Sequence, residues 1–256
     1  MKNTKNILYP IVFIGCLSLL IESCKKKVED PEIQYGQVPD KDGNTYKTVE
    51  IGNQTWFAEN LKTKLYNDGT VIPEVSDSSL WTKQNTGARS VYGNTLNVDT
   101  INDYGRLYNY FAVKSGKLCP SGWHVPSASD WNKLEEYLKA NGYNYKGSMG
   151  GKTVAKSLAS KTGWSSPYSG GVLMISPAAI GEDPSINNKT GFSAMPGGYR
   201  NEYSVFLLAG EEGIWWSSTE VDSLHCITRH LSFYDSSLIL DTAKTIEGNS
   251  VRCLKD

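Results

Sequence analysis

Cys119-Pro120-Ser121-Gly122-Trp123-His124-Val125-Pro126-Ser127-Ala128-Ser129-Asp130-Trp131-Asn132-Lys133-Leu134-Glu135-Glu136-Tyr137-Leu138 holds a cysteine, a turn, a short extended segment, a helix cap and an amphipathic helix. Pro126 cannot sit inside a helix, and Ser127 follows it as an N-cap. The Ser127 hydroxyl can accept from a first-turn N–H. Asp130, three residues on, completes a capping box and favours the positive end of the helix dipole. Trp131, Leu134 and Leu138 then recur at helical spacing with Tyr137 beside them, and Asn141-Gly142 is a natural stop. The Trp/Leu stripe requires a partner surface.

Moving toward the C-terminus, Gly147-Ser148-Met149-Gly150-Gly151-Lys152-Thr153 has the look of a phosphate loop. Only three residues separate Gly147 from the Gly-Lys-Thr, where the pattern needs four, so it reads as a Gly-rich loop. It leads to a second helix over Thr153–Lys161, with Val154, Ala155, Leu158 and Ala159 inward. Residues 164–190 are rich in Gly, Ser, Pro and Asn and read as a long loop of the kind that often carries function. Short strands are expected at 192–195, 198–200, 213–219, 226–233, 237–240 and 249–254.

On the other side, Asp40-Lys41-Asp42-Gly43-Asn44 opens like a calcium loop but lacks the later acidic ligand, so it reads as a turn before a strand. Thr45–Ile51 and Gln54–Ala58, split by Gly52-Asn53, read as a tight hairpin. Residues 62–103 read as irregular surface structure carrying Trp81 and Tyr92. Arg106–Val113 is open between strand and helix, its spacing leaning to a short helix. Residues 24–38 read as a charged tether. Residues 1–23 read as a signal peptide: Lys2 and Lys5 precede an apolar run from Ile7 to Ile21, short for a membrane span. Ser23-Cys24 resembles a lipoprotein cleavage site with Cys24 as the lipidated residue. Cys16 is a second candidate inside the apolar run.

The chain has 256 residues, 39% hydrophobic and 21% charged, which suits a globular protein. Beyond residue 23 there are 24 basic and 26 acidic residues, a net charge of −2. That balance gives no electrostatic footprint for nucleic acid. The 15 Tyr and 7 Trp suit a β-rich core or an interface.

Asp42-Gly43-Asn44-x-Tyr46, Ile51-Gly52-x-Gln54-x-Trp56, Glu59-Asn60-Leu61, Gly105-Arg106-Leu107-Tyr108, Cys119-Pro120-x-Gly122-Trp123-His124-Val125-Pro126, Gly197-Gly198-Tyr199-Arg200, Trp216-Ser217-Ser218-Thr219-Glu220 and Val251-Arg252-Cys253 together resemble the Fibrobacter succinogenes major paralogous domain. The resemblance covers about residues 39–256. It implies an α+β, C-type-lectin-like fold: two helices near 127–140 and 153–161 packed on a twisted antiparallel sheet with long loops. It further implies a Cys119–Cys253 disulfide, which an exported protein can keep. It points to outer-membrane lipoproteins of Bacteroidetes-type bacteria, and the family pattern specifies no activity. Cys226 is left over and reads as a buried thiol.

The histidines give no metal pair, since His225 and His230 lie five apart in a strand and face opposite ways. His124 reads as framework. Glu182-Asp183-Pro184 and Trp216-Ser217-Ser218 are the nearest counterparts of calcium-lectin motifs, but Ser stands where carboxylate and amide ligands are needed, so no metal or other cofactor is expected. Glu182/Asp183, Glu211/Glu212 and Glu220/Asp222 are the carboxylate pairs available for acid–base work and read as surface charge. The reading is therefore a non-enzymatic recognition or adhesion module, held to the cell envelope by lipid, for a glycan or protein ligand. Trp164, Tyr168, Glu182, Asp183, Asn187, Asn188, Arg200 and Trp215 are the ligand-facing candidates. A structural role in surface lipoprotein complexes is the alternative, followed by a carbohydrate-active enzyme.

Overall fold

A computed structural model describes residues 32–147, 151–166 and 176–256. The signal segment, Cys24 and Tyr168 lie outside the described residues. Ile33–Asp256 forms one unit. In chain order its elements are β1 (Tyr35–Pro39), β2 (Thr45–Ile51), β3 (Gln54–Phe57), α1 (Ser78–Trp81), β4 (Arg89–Ser90), α2 (Val98–Tyr104), β5 (Leu107–Tyr108), α3 (Tyr110–Lys114), β6 (Trp123–His124), α4 (Ala128–Ala140) and α5 (Ala155–Leu158). Then follow β7 (Gly197–Arg200), β8 (Phe206–Ala209), β9 (Glu212–Glu220), β10 (His225–Ser232), β11 (Ile239–Lys244) and β12 (Leu254–Lys255).

The class is α+β, and the strands form two five-stranded sheets rather than one. The first runs β1-β2-β3-β12-β6 and the second β11-β10-β9-β7-β8, with β4-β5 as a separate pair. All pairings are antiparallel except β7 with β9.

α4 takes the form its sequence prescribes. Ser127 Oγ accepts from Asp130 N, and Ser127 N donates to Asp130 Oδ2, closing the capping box. Trp131, Leu134 and Leu138 are buried. The Trp131 ring lies 4.8 Å from Trp56 on β3 and 6.5 Å from Trp215 on β9, so one helix closes on both sheets. The β2–β3 hairpin also forms, with Ile51 opposite Gln54. Its Gly52 has φ +65°, and a Cβ there would meet the Tyr137 ring of α4 at 2.7 Å. Only glycine serves both the turn and the close approach.

The first and last parts of the domain meet in the first sheet. β12 lies between β3 and β6, with Leu254 opposite both Trp56 and His124. Cys119 is bonded to Cys253 across 134 residues. In the chain-entropy account a loop that long is worth about 3–5 kcal/mol. Cys226 is a free, wholly buried cysteine, its thiol pushed up to about 12 chiefly by burial.

Several expectations differ from the structure. Tyr35–Pro39, read as the end of a tether, is a strand paired with β2. Trp81 is not at the surface: it is fully buried behind the Asp77-capped α1. The second helix shrinks to four residues because Ala159 turns extended (φ −67°, ψ 143°) and bridges to Ala194. β8 is not heralded by alternation in Phe-Leu-Leu-Ala, and Leu208 within it has φ +63°. The strand expected over 249–254 is mostly a crossing segment. Asn249 bridges to Tyr108, Ser250 to Trp215, and only Leu254 joins the first sheet.

Candidate functional cleft

The second sheet has an inner and an outer face. Across β9, β10 and β11 the register sets Ile214 opposite His230 and His230 opposite Ile239. Two residues along each outer strand, on the same face, stand Glu212 and Asp241. The alternating positions Trp215 and Leu231 face the other way, into the core with Trp131. The outer face is the floor of a cavity of about 360 Å³, near the small end of the ligand-pocket range. Tyr199 and Leu208 wall one side, and Tyr234, Glu247 and Asn249 contribute from connecting segments.

Three carboxyl groups line this cleft: Glu212 and Glu247 are partly buried and Asp241 is exposed. Burial raises Glu212 above the usual carboxylate range, and Glu211 and Asp241 push it the same way. Glu247 is raised further, to about 7, first by burial and then by Glu202 and Asp241. The Lys244 backbone N–H, which donates to Glu247 Oε1 at 3.2 Å, opposes this only in part. Burial pulls His230 down to about 4, so its imidazole is neutral at pH 7. Its Nε2 lies 2.7 Å from Thr228 Oγ1. Burial raises Tyr199 too, with Glu247, Glu212 and Glu202 adding to the shift.

Asn249 is the feature that sets the cleft apart. It is wholly buried, and neither its Nδ2 nor its Oδ1 has a protein partner. A few other buried side chains among the described residues leave one atom unpaired, such as Trp81 and Trp131. Asn249 alone among them leaves two, and it does so on a cavity wall. An amide buried without hydrogen bonds costs about 1–3 kcal/mol by mutational measures.

The ligand-facing residues expected from sequence are not gathered at one place. Arg200 is buried, donating to the Val75 and Ser76 carbonyls and to Ser204 Oγ, with its guanidinium 4.3 Å from the Trp81 ring centroid. Trp215 is buried with Nε1 donating to Asn60 Oδ1 at 2.9 Å. Trp164 and Asn187 are buried around Ser160, to which each donates a hydrogen bond. These four serve the framework, because no ligand reaches a side chain enclosed in the core. Glu182 is half-buried and Asp183 exposed at the start of a short turn, and Asn188 pairs with Ser193. Asn188 also lines a wider cleft of about 510 Å³ with Lys47, Glu59 and Lys62. There Lys62 already reaches Glu59 and Asn102.

The missed residues stand one position away from the named ones. Tyr199 precedes Arg200 and Ile214 precedes Trp215. A one-residue error in a strand exchanges the two faces. Glu212 was visible in sequence only as half of an adjacent carboxylate pair.

Among the described residues no set of three or more His, Cys, Asp or Glu side chains is placed to hold a metal ion, and no helix is long and apolar enough to cross a membrane. Fold and cleft together define an α+β domain clasped by one disulfide, with a polar cleft on the outer face of its second sheet. The Fibrobacter succinogenes major domain matches residues 49–255, and the chain belongs to that family. No curated protein and no solved structure matches it.

Proposed function

We propose that this chain is a lipid-anchored recognition module of the cell envelope, on a C-type-lectin-like frame, that binds a hydroxyl-rich glycan in the β9–β10–β11 cleft. The observation that carries the reading is the cleft itself, a cavity of about 360 Å³ lined by Glu212, Glu247, His230 and Thr242. A sugar ring offers vicinal hydroxyls that both donate and accept, which suits such a polar lining. Tyr199 and Tyr234 add ring faces on the walls. The Ser23-Cys24 motif after an apolar run supports the anchor, and a disulfide-clasped domain suits an oxidising compartment.

A glycan array probed with the chain from Lys25 onward tests the binding. Retention on a subset of glycans, lost in Tyr234→Ala at unchanged melting temperature, is the expected result. Retention untouched by that substitution would remove the cleft from the account. Incorporation of labelled fatty acid, abolished by Cys24→Ala, tests the anchor.

A carbohydrate-active enzyme is the second reading, favoured by one observation. Glu247, held near 7, shares the cleft with Glu212 and Asp241, and glycoside hydrolysis uses one protonated and one ionised carboxyl group. Turnover of an aryl glycoside that disappears in Glu247→Gln would move the proposal to this reading.

A further inference from the structure

We infer that the protein carries a second ligand site, between residues 143–146 and 186–189 above α5, that takes an anionic sugar: a ring bearing a carboxylate or a sulfate ester. The site goes beyond the recognition cleft proposed above. It shares no lining residue with that cleft and stands or falls by its own residues.

The cavity measures about 340 Å³, near the small end of the ligand-pocket range, and its walls are built. Its floor is α5, where Lys156 is only 4% exposed. Main-chain hydrogen bonds tie both walls to that region. On one side Asn188 N donates to Lys156 O at 2.8 Å and Thr190 N to Ser157 O at 3.0 Å. On the other, Tyr145 N donates to Thr153 O at 3.0 Å. The buried Asn144 braces this wall: its Nδ2 donates to Lys139 O at 3.2 Å and its Oδ1 accepts from Thr153 N at 3.2 Å. The Lys156 ammonium donates to the Glu182 and Asp183 carbonyls, pinning the turn that presents Ile186. A site whose walls are fixed in advance spends little on ordering when a ligand arrives.

Lys146, Lys156 and Lys189 line the cavity, and no Asp or Glu does. Aromatic rings place the two exposed ammonium groups. Lys146 Nζ lies 5.4 Å from the Tyr145 ring centroid and Lys189 Nζ 5.6 Å from that of Tyr143, and both rings line the same cavity. Tyr143 is itself held against Tyr137 of α4, with ring centroids 6.1 Å apart. Among the described residues Lys64, Lys114, Lys117, Lys133, Lys139 and Lys244 each reach a carboxylate, whereas Lys146 and Lys189 reach none. At the floor, burial lowers the pKa of Lys156, and Asp183 and Glu182 oppose that shift without lining the cavity.

Ammonium groups around one cavity repel each other, and anionic oxygens between them relieve the repulsion with charge-assisted hydrogen bonds. Charge alone would admit any small anion. The Tyr143 and Tyr145 rings and the exposed Ile186 add apolar surface that a bare sulfate or phosphate ion leaves unused and the C–H face of a sugar ring covers. A neutral sugar covers that surface but leaves the ammonium groups unanswered. An anionic sugar meets both.

The test is an NMR titration of the chain with glucuronic acid, glucose 6-sulfate, glucose and sodium sulfate, each into the tens of millimolar, following the backbone amides of Lys146, Gly147 and Lys189. The expected result is saturable perturbation by one or both charged sugars, at least about tenfold tighter than by glucose or sulfate, equivalent to about 1.4 kcal/mol. The tighter of the two charged sugars identifies the anion. Lys146→Gln/Lys189→Gln, at exposed positions, should erase the preference at unchanged melting temperature. Lys83→Gln/Lys255→Gln, exposed and outside the cavity, should leave it intact. Equal affinity for glucose would overturn the charge selection, and equal affinity for sulfate would overturn the sugar. Loss of binding in both lysine pairs would assign it to general surface charge and overturn the site, as would no perturbation by any probe. The Thr242 amide, read in the same spectra, reports the cleft of the second sheet separately.

Discussion

Arg252 and Asn249 lie three residues apart on the same crossing segment, both wholly buried. Arg252 uses its whole fork. Nε donates to Asn60 Oδ1 at 2.8 Å, Nη1 to the Phe57 and Phe192 carbonyls, and Nη2 to the Ser193 carbonyl at 2.9 Å. Its guanidinium also sits 4.5 Å from the Phe192 ring centroid. Asn249, with four hydrogen-bonding positions, uses none of them within the protein. Burial is the same for both and only satisfaction differs. A buried polar group with all its partners supports the fold, and one with none costs it stability.

Arg252→Met should give the largest effect. It takes a donor from each of three main-chain carbonyls and leaves the Asn60 amide oxygen with Trp215 Nε1 alone, so urea unfolding at pH 7 should show a loss of about 3–5 kcal/mol. A loss below about 1 kcal/mol would mean that water replaces the fork, and the contrast with Asn249 would lose its basis. Opening the clasp comes next. Cys119→Ser/Cys253→Ser should cost about 3–5 kcal/mol in the same measurement, by freeing a loop of 134 residues in the unfolded chain.

What sequence alone reveals follows the range of the forces involved. α4 is legible to the residue, because capping and 3.6-residue spacing act within one turn or two. The β2–β3 hairpin is legible because Gly52-Asn53 sets its register locally. The Cys119–Cys253 pairing comes from family resemblance, since two cysteines 134 residues apart carry no local signal. The second sheet, β8 apart, was legible as strands but not as faces. Alternation in Gly-Gly-Tyr-Arg and Ile-Trp-Trp-Ser says that neighbours point opposite ways without saying which way is in. Arg200 and Trp215 are residue types that suit either a ligand or a core, and here carbonyls and aromatic rings enclose them. Asn249 and Glu247 could not be read at all. Their setting depends on the chain crossing from the second sheet to the first, a tertiary fact with no pattern in Glu-Gly-Asn-Ser.

Asn249→Leu tests the comparison from its other end, with the opposite sign. The main chain of Asn249 exchanges hydrogen bonds with Tyr108 in both directions and would be left intact. Removing an unanswered amide from a buried position should stabilise the domain by about 1–2 kcal/mol. Stability would then move in opposite directions at two equally buried polar residues of one segment. Destabilisation by Asn249→Leu would show instead that the amide is satisfied in solution, and Asn249 would join Arg252 as framework.

The smallest effect, and the one that isolates the electrostatics of the cleft, belongs to Glu247. Its carboxyl is raised from an ordinary value near 4.5 to about 7 by burial, with Glu202 and Asp241 adding to the shift. Between those two values the folded chain holds more protons than the unfolded one, so stability falls as pH rises. The favourable contribution is fully present below about pH 4.5 and is lost as pH passes through 7. Glu247→Gln removes the titration. The variant and wild type should therefore unfold alike at acid pH, and the variant should be the more stable above neutrality. Because the group keeps some solvent contact, the difference at alkaline pH should be about 1 kcal/mol rather than the full linkage value. If melting temperatures of wild type and Glu247→Gln run parallel across that range, Glu247 is solvated like any surface carboxylate. The outer face of the second sheet would then carry no carboxyl group set apart from the solvent.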